Sequence, residues 1–378
     1  MRRCHVHRIG MRHPGDVSKL MSLLSSGVLQ ASSIKAIFGK TEGNGCVNDF
    51  TRGYAVSALQ SALAGALEVS PSAVADRIAM VMSGGTEGGL SPHFLVFSVS
   101  EDPAASFAPT ITKPRGKGLA MAHVATRTFL PEEIGRLAQV QATAAAVRQA
   151  MSDASIENPS DVHYVQIKCP LLTSERMAEA QARGVTTVTH DTYASMGFSR
   201  GASALGVAVA LNEVPAVSVN DAAVCNDFGL WSARASASAG IELMRNEVIV
   251  LGNSPDWSPE TSIGHGVMQD AIDLPAVHAV LGAAGLATHG QLDARQRSRI
   301  VAILCKAEAS RSGHIRGARH IMWDDSDVHA TRHARALVGG VVAAAIGRTD
   351  LFVSGGAEHQ GPDGGGPIAI IVQQPVHE

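Results

Sequence analysis

Apolar and polar positions alternate along the chain in short blocks of two kinds. Ser33 to Gly39, Arg77 to Met82, Phe94 to Ser98, Val162 to Ile167, Glu247 to Leu251, Ile300 to Leu304, Leu351 to Val353 and Ile368 to Val372 are brief apolar runs that predict strands. Pro14 to Ser26, Phe50 to Leu67, Pro131 to Ala154 and Ala334 to Ile346 carry alanine and leucine at helical spacing, and one more helix is expected to start near Ser199. Ser174 to Gly184 reads as an inserted helix or loop. Proline and glycine near Pro103 to Gly118 mark a linker, and a second break falls around Ser254 to Ser262. Blocks alternating in this way predict an α/β or α+β fold whose strands are buried by helices.

A polar pattern recurs three times on this frame. A lysine ends an apolar run, a Ser/Thr-Arg pair opens a helix-like stretch, and a Ser-(Gly/Ala)-Gly-x-Glu turn follows. The copies are Lys40, Thr51-Arg52 and Ser83 to Glu87; Lys168, Ser199-Arg200 and Ser238 to Glu242; and Lys306, Thr331-Arg332 and Ser354 to Glu358. The serine turn alone is expected by chance on the order of a few hundredths of a time per chain, so three copies in one order indicate internal repetition. The repeat divides the 378 residues into three units, each of roughly 100 to 140 residues.

Composition narrows the class. A formal net charge of −3 gives no electrostatic case for nucleic acid or an anionic membrane. The basic start (Arg2, Arg3, His5, His7, Arg8) lacks the apolar run of a signal peptide, and no segment is apolar enough to cross a bilayer. Five cysteines (Cys4, Cys46, Cys169, Cys225, Cys305) without close pairing fit a reducing cytoplasm.

The repeated residues have the equipment of a site. Ser199 and Thr331 are expected helix N-caps. An arginine in a first turn opposes the helix dipole, so Arg52, Arg200 and Arg332 need another reason to be there. A guanidinium suits carbonyl or carboxylate recognition; the bland alternative is a surface arginine paired with the repeated glutamate. The serine turns can bring backbone N–H groups to a ligand as oxyanion donors, or can be mere strand-ending turns. A lysine desolvated beside arginines loses basicity and can deprotonate a serine. Together, Lys, Ser and an N–H donor suffice for acyl transfer.

Other groupings carry less. His329 and His333 lack the glutamate of a zinc-protease motif, and Gly361 to Pro367 lacks the ending of a phosphate loop. That glycine-rich backbone, with Glu308, could hold a hard cation, as could Asp324, Asp325 and Asp327, although these last read better as a solvated turn. Cys169 and Cys305 neighbour the repeated lysines, but the first lysine follows Gly39, so a cysteine nucleophile is not supported.

Over essentially its whole length the chain resembles the cyanuric acid hydrolase/barbiturase family of cyclic amide hydrolases. The resemblance is carried by Met82 to His93, Phe198 to Ser203, Arg316 to His320, Asp324 to Asp327, Thr331 to Arg335 and Ser354 to Pro367. It implies an α/β fold of three homologous repeat domains (1–104, 112–250 and 256–378) around a pseudo-threefold axis, with a central β-barrel-like core surrounded by helices. It implies one shared pocket in which Arg52, Ser83, Gly84, Arg200, Ser238, Ala239, Arg332, Ser354 and Gly355 hold a flat ring of alternating carbonyls and N–H groups, aided by Lys40 and Lys306. By the same likeness Ser238 is the nucleophile and Lys168 its base. The reaction implied is ring opening of cyanuric acid to carboxybiuret, which decarboxylates to biuret and carbon dioxide. No organic cofactor is implied. A structural divalent cation (Mg or Ca) is, at Glu308, Ala357, Gln360, Gly361, Pro362 and Gly365, along with a cytoplasmic homotetramer. Barbituric acid or another cyclic imide as substrate, and a non-catalytic binder of a flat heterocycle, are the competing readings.

Overall fold

The computed structural model describes residues 1–101, 116–287 and 289–375. Most of the expected linker around Pro103 to Gly118 lies outside the described residues. The strands are β1 (Arg2–Gly10), β2 (Ile34–Thr41), β3 (Ala79–Gly84), β4 (His93–Glu101), β5 (Gly118–Ala125), β6 (Val162–Pro170), β7 (Ala235–Gly240), β8 (Glu247–Ser254), β9 (Thr261–Met268), β10 (Ile300–Ala307), a short hairpin of β11 (His314–Ile315) and β12 (Ala318–Arg319), β13 (Phe352–Gly355) and β14 (Gly366–Gln373). The helices are α1 (Ser18–Ser25), α2 (Phe50–Leu67), α3 (Pro71–Val74), α4 (Leu137–Asp153), α5 (Ser174–Ala182), α6 (Thr192–Ala210), α7 (Leu274–Ala283), α8 (Ala294–Ser298) and α9 (Ala330–Ile346).

Apart from the hairpin, the strands form three four-stranded sheets with one plan: β1-β4-β2-β3, β5-β8-β6-β7 and β9-β14-β10-β13. In each, the outer first strand pairs antiparallel with the fourth, the fourth antiparallel with the second, and the second parallel with the third. A parallel neighbour requires a crossover, and α2, α6 and α9 supply it. Each second strand shifts register near its start, at Ile34/Ala36, Val162/Tyr164 and Ile300/Ala302.

Side chains alternate between the faces of a strand, and in the inner strands both faces are buried almost throughout. Ile37, Phe94 and Val96 pack outward with Leu59 and Leu63 of α2, and Ile303, Ile370 and Val353 pack outward with Val338 and Val342 of α9. Phe38, Phe97, Tyr164, Leu304, Phe352 and Ile371 point the other way into one cluster shared by all three sheets. Phe38 lies 4.7 Å from Phe97 and 5.7 Å from Phe352, centroid to centroid. Counting onward by twos from Phe38, Leu304 and Phe352 places Lys40, Lys306 and Ser354 on the same central face.

The structure corrects several expectations. The three sheets meet through side chains and remain separate; among the described residues no closed barrel joins them. The basic N-terminus is a strand, and strands Gly118–Ala125 and Thr261–Met268 follow the expected linker and break, where the apolar pattern predicts no element. In β1 and β9 polar residues on a partly exposed face interrupt the apolar run, and β5 is rich in alanine, a weak strand former. Ser199 lies inside α6, which is capped by Asp191; His329, rather than Thr331, caps α9. Their side chains accept from Ala194 N–H and Thr331 N–H, the orphan donors that a cap must satisfy. No helix among the described residues is long and apolar enough to cross a membrane.

Candidate functional site

Each repeated lysine stands directly across a parallel strand pair from its repeated serine: Lys40 from Ser83, Lys168 from Ser238 and Lys306 from Ser354. All six side chains are buried. Ser354 Oγ lies 3.1 Å from Ser238 Oγ and 3.4 Å from Ser83 Oγ, so the three hydroxyls converge. They line a small cavity with Gly84, Ala239, Gly355, Gly45 and Met196, and with the guanidiniums of Arg52, Arg200 and Arg335.

The lysines differ in their contacts. Lys40 Nζ donates to Ser83 Oγ and Gly84 C=O, both at 3.2 Å. Lys306 Nζ reaches Ser354 Oγ at 3.3 Å and donates to Gly355 C=O (3.2 Å) and Ala237 C=O (2.9 Å). Lys168 Nζ donates to Met82 C=O (3.0 Å) and pairs with Glu242 at 2.8 Å. Burial lowers the pKa of all three because it disfavours the ammonium. It drives Lys40 well below its ordinary value, aided by Arg335, and takes Lys306 down to about 7, aided by Arg200. Lys168 is lowered by burial against the opposing pull of Glu242, with Arg52 adding to the depression.

The arginines connect the sheets in a ring. Glu87, on the turn after β3, takes a bidentate pair from Arg335 of α9 (2.8 and 2.5 Å). Glu358, after β13, takes one from Arg200 of α6 (2.8 and 2.6 Å). Glu242, after β7, faces Arg52 of α2 electrostatically, and Arg52 donates to Ala239 C=O at 3.0 Å. Burial pushes Glu87 and Glu358 up, but the arginines outweigh it and hold both carboxyls below the ordinary range. The arginine–glutamate pairing weighed as the bland alternative is therefore present, between sheets and on the wall of the cavity. The turns need their second glycine for it: a Cβ on Gly356, at φ +74°, would lie 2.6 Å from the Arg200 guanidinium.

The third arginine on the cavity is Arg335, and this corrects the expectation for Arg332. Arg332 keeps a side chain 40% exposed and touches only the rim of the ring, at Glu87 (3.3 Å). One helical turn separates the two, and the Thr-Arg pair matched the repeat in sequence while its neighbour matched it in space. Arg335 ends the Thr331 to Arg335 run but lacks the hydroxyl residue that precedes the repeated arginines; its burial within α9 is the missing signal.

Glu308 lines a second cavity of about 260 Å³ together with Ala357, Gly361, Pro362 and Arg200. Its carboxylate accepts from Ala309 N–H (3.1 Å) and Ala357 N–H (2.6 Å). Burial, then repulsion from Glu358, pushes it up to about 7. A hard cation bound here would relieve the burial of that carboxylate. The Gln360 side-chain oxygen is already engaged by Ala237 N–H at 2.7 Å, and Gly365 donates to Pro362 C=O at 3.0 Å. Among the described residues no group of three or more His, Cys, Asp or Glu side chains gathers as a metal cage. Asp325 instead caps its own turn at Asp327 N–H and Val328 N–H and pairs with His333.

Comparison with known proteins gives a consistent picture. Residues 5–373 match the family model described as amidohydrolase ring-opening protein. A cyanuric acid amidohydrolase of Bradyrhizobium sp. (strain ORS 375) is 53% identical over 374 residues, covering 99% of both chains. One from Ectopseudomonas oleovorans (strain CECT 5344) is 54% identical, covering 97% of this chain and 99% of its own. A solved cyanuric acid hydrolase superposes with a TM-score of 0.93 at 49% identity, covering 99% of this chain and 100% of its own. The solved enzyme from A. caulinodans gives 0.89 at 52% identity over 100% of both chains.

Proposed function

Because the chain belongs to the family of ring-opening amidohydrolases, we propose that it hydrolyses cyanuric acid, with Ser238 as nucleophile and Lys168 as its base. The observation that carries this reading is the convergence of Ser83, Ser238 and Ser354 on one cavity walled by Arg52, Arg200 and Arg335. A flat ring with three carbonyls meets three hydroxyls and three guanidiniums.

Ser238 Oγ attacks one ring carbonyl carbon while its proton passes to Lys168 Nζ, which lies across the strand pair. The Ala239 N–H and Arg52 stabilise the oxyanion. The C–N bond breaks, the ring nitrogen takes the proton from Lys168, and a Ser238 acyl ester remains. Water then attacks that ester, and the serine regains its proton. The product, carboxybiuret, loses carbon dioxide to leave biuret. Before acting as base, Lys168 Nζ must release Glu242, which now holds it at 2.8 Å. The cavity measures about 20 Å³, so binding of the ring requires its walls to adjust.

Three units, 1–104, 112–250 and 256–378, around a pseudo-threefold axis belong to the same reading. The shared strand order, the three matching register shifts and the ring of Glu–Arg contacts support it. A divalent cation at Glu308, with backbone groups of Ala357, Gln360, Gly361, Pro362 and Gly365, would supply structural charge balance to the buried carboxyls. A cytoplasmic homotetramer completes the proposal.

The test is an assay for biuret and carbon dioxide from cyanuric acid, with barbituric acid alongside. Barbituric acid opened in preference would reassign the substrate. Ser238→Ala is expected to cost about a thousandfold or more in kcat; full turnover by that variant would remove Ser238 from the role.

A further inference from the structure

The three serine turns are alike up to their glutamate and then part. After Glu87 the chain continues Gly88-Gly89, after Glu242 it continues Leu243-Met244, and after Glu358 it continues His359-Gln360. We propose that Glu358-His359-Gln360 is a clamp from the third sheet onto the second that sets Ser238 apart from Ser83 and Ser354, with His359 and Gln360 as positioning residues. The proposal rests on the reading of Ser238 as nucleophile.

Ser238 sits on β7, an outermost strand of its sheet. Such a strand presents a row of N–H and C=O groups that its own sheet leaves unpaired. Both such groups of Ala237, the residue before Ser238, are taken by the third unit. Ala237 N–H donates to Gln360 Oε1 at 2.7 Å, and Ala237 C=O accepts from Lys306 Nζ at 2.9 Å. The glutamine is itself held, since its Nε2 donates to Gly356 C=O (3.2 Å) and Glu358 C=O (3.3 Å). The lysine half of this grip recurs elsewhere, because Lys168 Nζ donates to Met82 C=O ahead of Ser83. The glutamine half does not, since Gly89 and Met244 occupy the corresponding positions and neither offers a side-chain acceptor of that kind.

His359 grips the segment that leads into the same strand. Its Nε2 accepts from Cys225 N–H (2.7 Å), which leaves the proton on Nδ1 to be donated to Leu230 C=O (2.6 Å). Its own C=O accepts from Ser232 N–H at 2.9 Å. The ring stacks on Phe228 at 5.1 Å, and the Arg311 guanidinium lies over Phe228 at 3.1 Å. His359 adopts φ +58°, a left-handed conformation that is uncommon outside glycine and persists where surrounding bonds enforce it. With Glu358 on Arg200, three consecutive side chains hold a wall of the cavity, the approach to β7, and the peptide group next to Ser238.

The experiment uses the full chain and steady-state kinetics on whichever cyclic amide the wild type opens. Gln360→Met keeps the length and removes the acceptor for Ala237 N–H; Gln360→Glu restores an oxygen there. His359→Gly accepts the left-handed φ and leaves an imidazole-sized space that borders the 260 Å³ cavity. Because a displacement of about 1 Å at a reacting group can cost about a hundredfold, Gln360→Met and His359→Gly are each expected to lower kcat by about 10- to 100-fold, with KM changed by less than about threefold. Gln360→Glu should recover part of the loss, and added imidazole should raise kcat of His359→Gly while leaving the wild type unchanged. Unaltered kcat in Gln360→Met would overturn the clamp, and that variant decides alone if His359→Gly does not fold. Restoration of Gln360→Met by added Mg²⁺ or Ca²⁺ would also overturn it, since the defect would then lie in a cation. A wild type that opens no cyclic amide would instead sink the functional reading itself.

Discussion

Lys168 and Lys306 are the same residue type at matching positions, yet they are poised differently, and Lys168 alone of the two is in direct contact with a carboxylate among the described residues. Glu242 touches Lys168 and raises its pKa, while burial and Arg52 work the other way. Replacing Glu242 with Gln removes the raising influence, so the folded-state pKa of Lys168 drops further. The neutral amine is then available at lower pH, and the acid limb of the kcat/KM profile is expected to move to lower pH. An unmoved limb in the pH–rate profile of Glu242→Gln would remove Lys168 from the role of base. The two neighbouring arginines provide a second contrast at this scale. Arg335 is buried in a bidentate pair with Glu87, and Arg335→Met leaves that carboxylate without its main partner, a loss expected to cost about 3 kcal/mol in chemical denaturation. Arg332→Met, at a side chain 40% exposed, should stay within about 0.5 kcal/mol. The Thr-Arg pairs made the wrong one conspicuous, because a motif in sequence does not say which side of a helix faces inward.

At the scale of elements, the turns explain an asymmetry that was visible in sequence without a cause. Ala239 stands where the other two serine turns have Gly84 and Gly355. A Cβ on Gly84 would lie 1.7 Å from Asp49 Oδ2, and one on Gly355 would lie 2.2 Å from Thr331 Cγ2. Both obstacles come from the starts of α2 and α9. In the second unit α6 begins at Thr192, well before Arg200, so its cap lies elsewhere. Gly84→Ala must therefore displace the Asp49 cap, which accepts from Thr51 N–H and Gly45 N–H, and is expected to cost about 2 kcal/mol. Ala239→Gly should cost under about 1 kcal/mol by comparison. Denaturant midpoints of the two variants check the contrast. The crossover helix Phe50–Leu67 was legible to the residue, since an uninterrupted Ala/Leu pattern ends there. The outer strands β1, β5 and β9 were not: β1 and β9 interleave polar residues with apolar ones, and β5 is rich in alanine, a weak strand former.

Across the whole molecule the sheets are joined by polar contacts as well as by the shared apolar cluster. His163 on β6 and His265 on β9 meet with Nδ1 atoms 2.8 Å apart, one donating to the other. Burial and the Arg234 guanidinium lower both, with each imidazole further opposed to charge on its partner in the case of His265; the values are about 4 for His163 and about 3 for His265. Asp161, paired with Lys117, and Glu213, paired with Arg234, are the nearby charges. Both histidines titrate near 6.5 when unfolded, so the unfolded chain binds protons that the folded pair refuses. Their contribution to stability is whole above about 6.5 and is lost as pH falls through about 4 for His163 and about 3 for His265. The thermal midpoint should fall over that window, and His265→Gln, which cannot titrate, should flatten the slope.

The strand and helix blocks, the threefold polar pattern and the chemistry of Lys, Arg and Ser were determined by the sequence itself, since periodicity and residue type are local properties. Tertiary structure alone decided which arginine reaches the cavity and which lysine keeps a carboxylate. It also decided which serine strand is held by a glutamine as well as a lysine of a neighbouring sheet. All three depend on contacts between residues far apart in the chain, such as Arg200 with Glu358, Lys168 with Glu242 and Ala237 with Gln360. The repeat makes three similar sites, and the residues that differ between the turns make them unequal through the contacts that folding gives them.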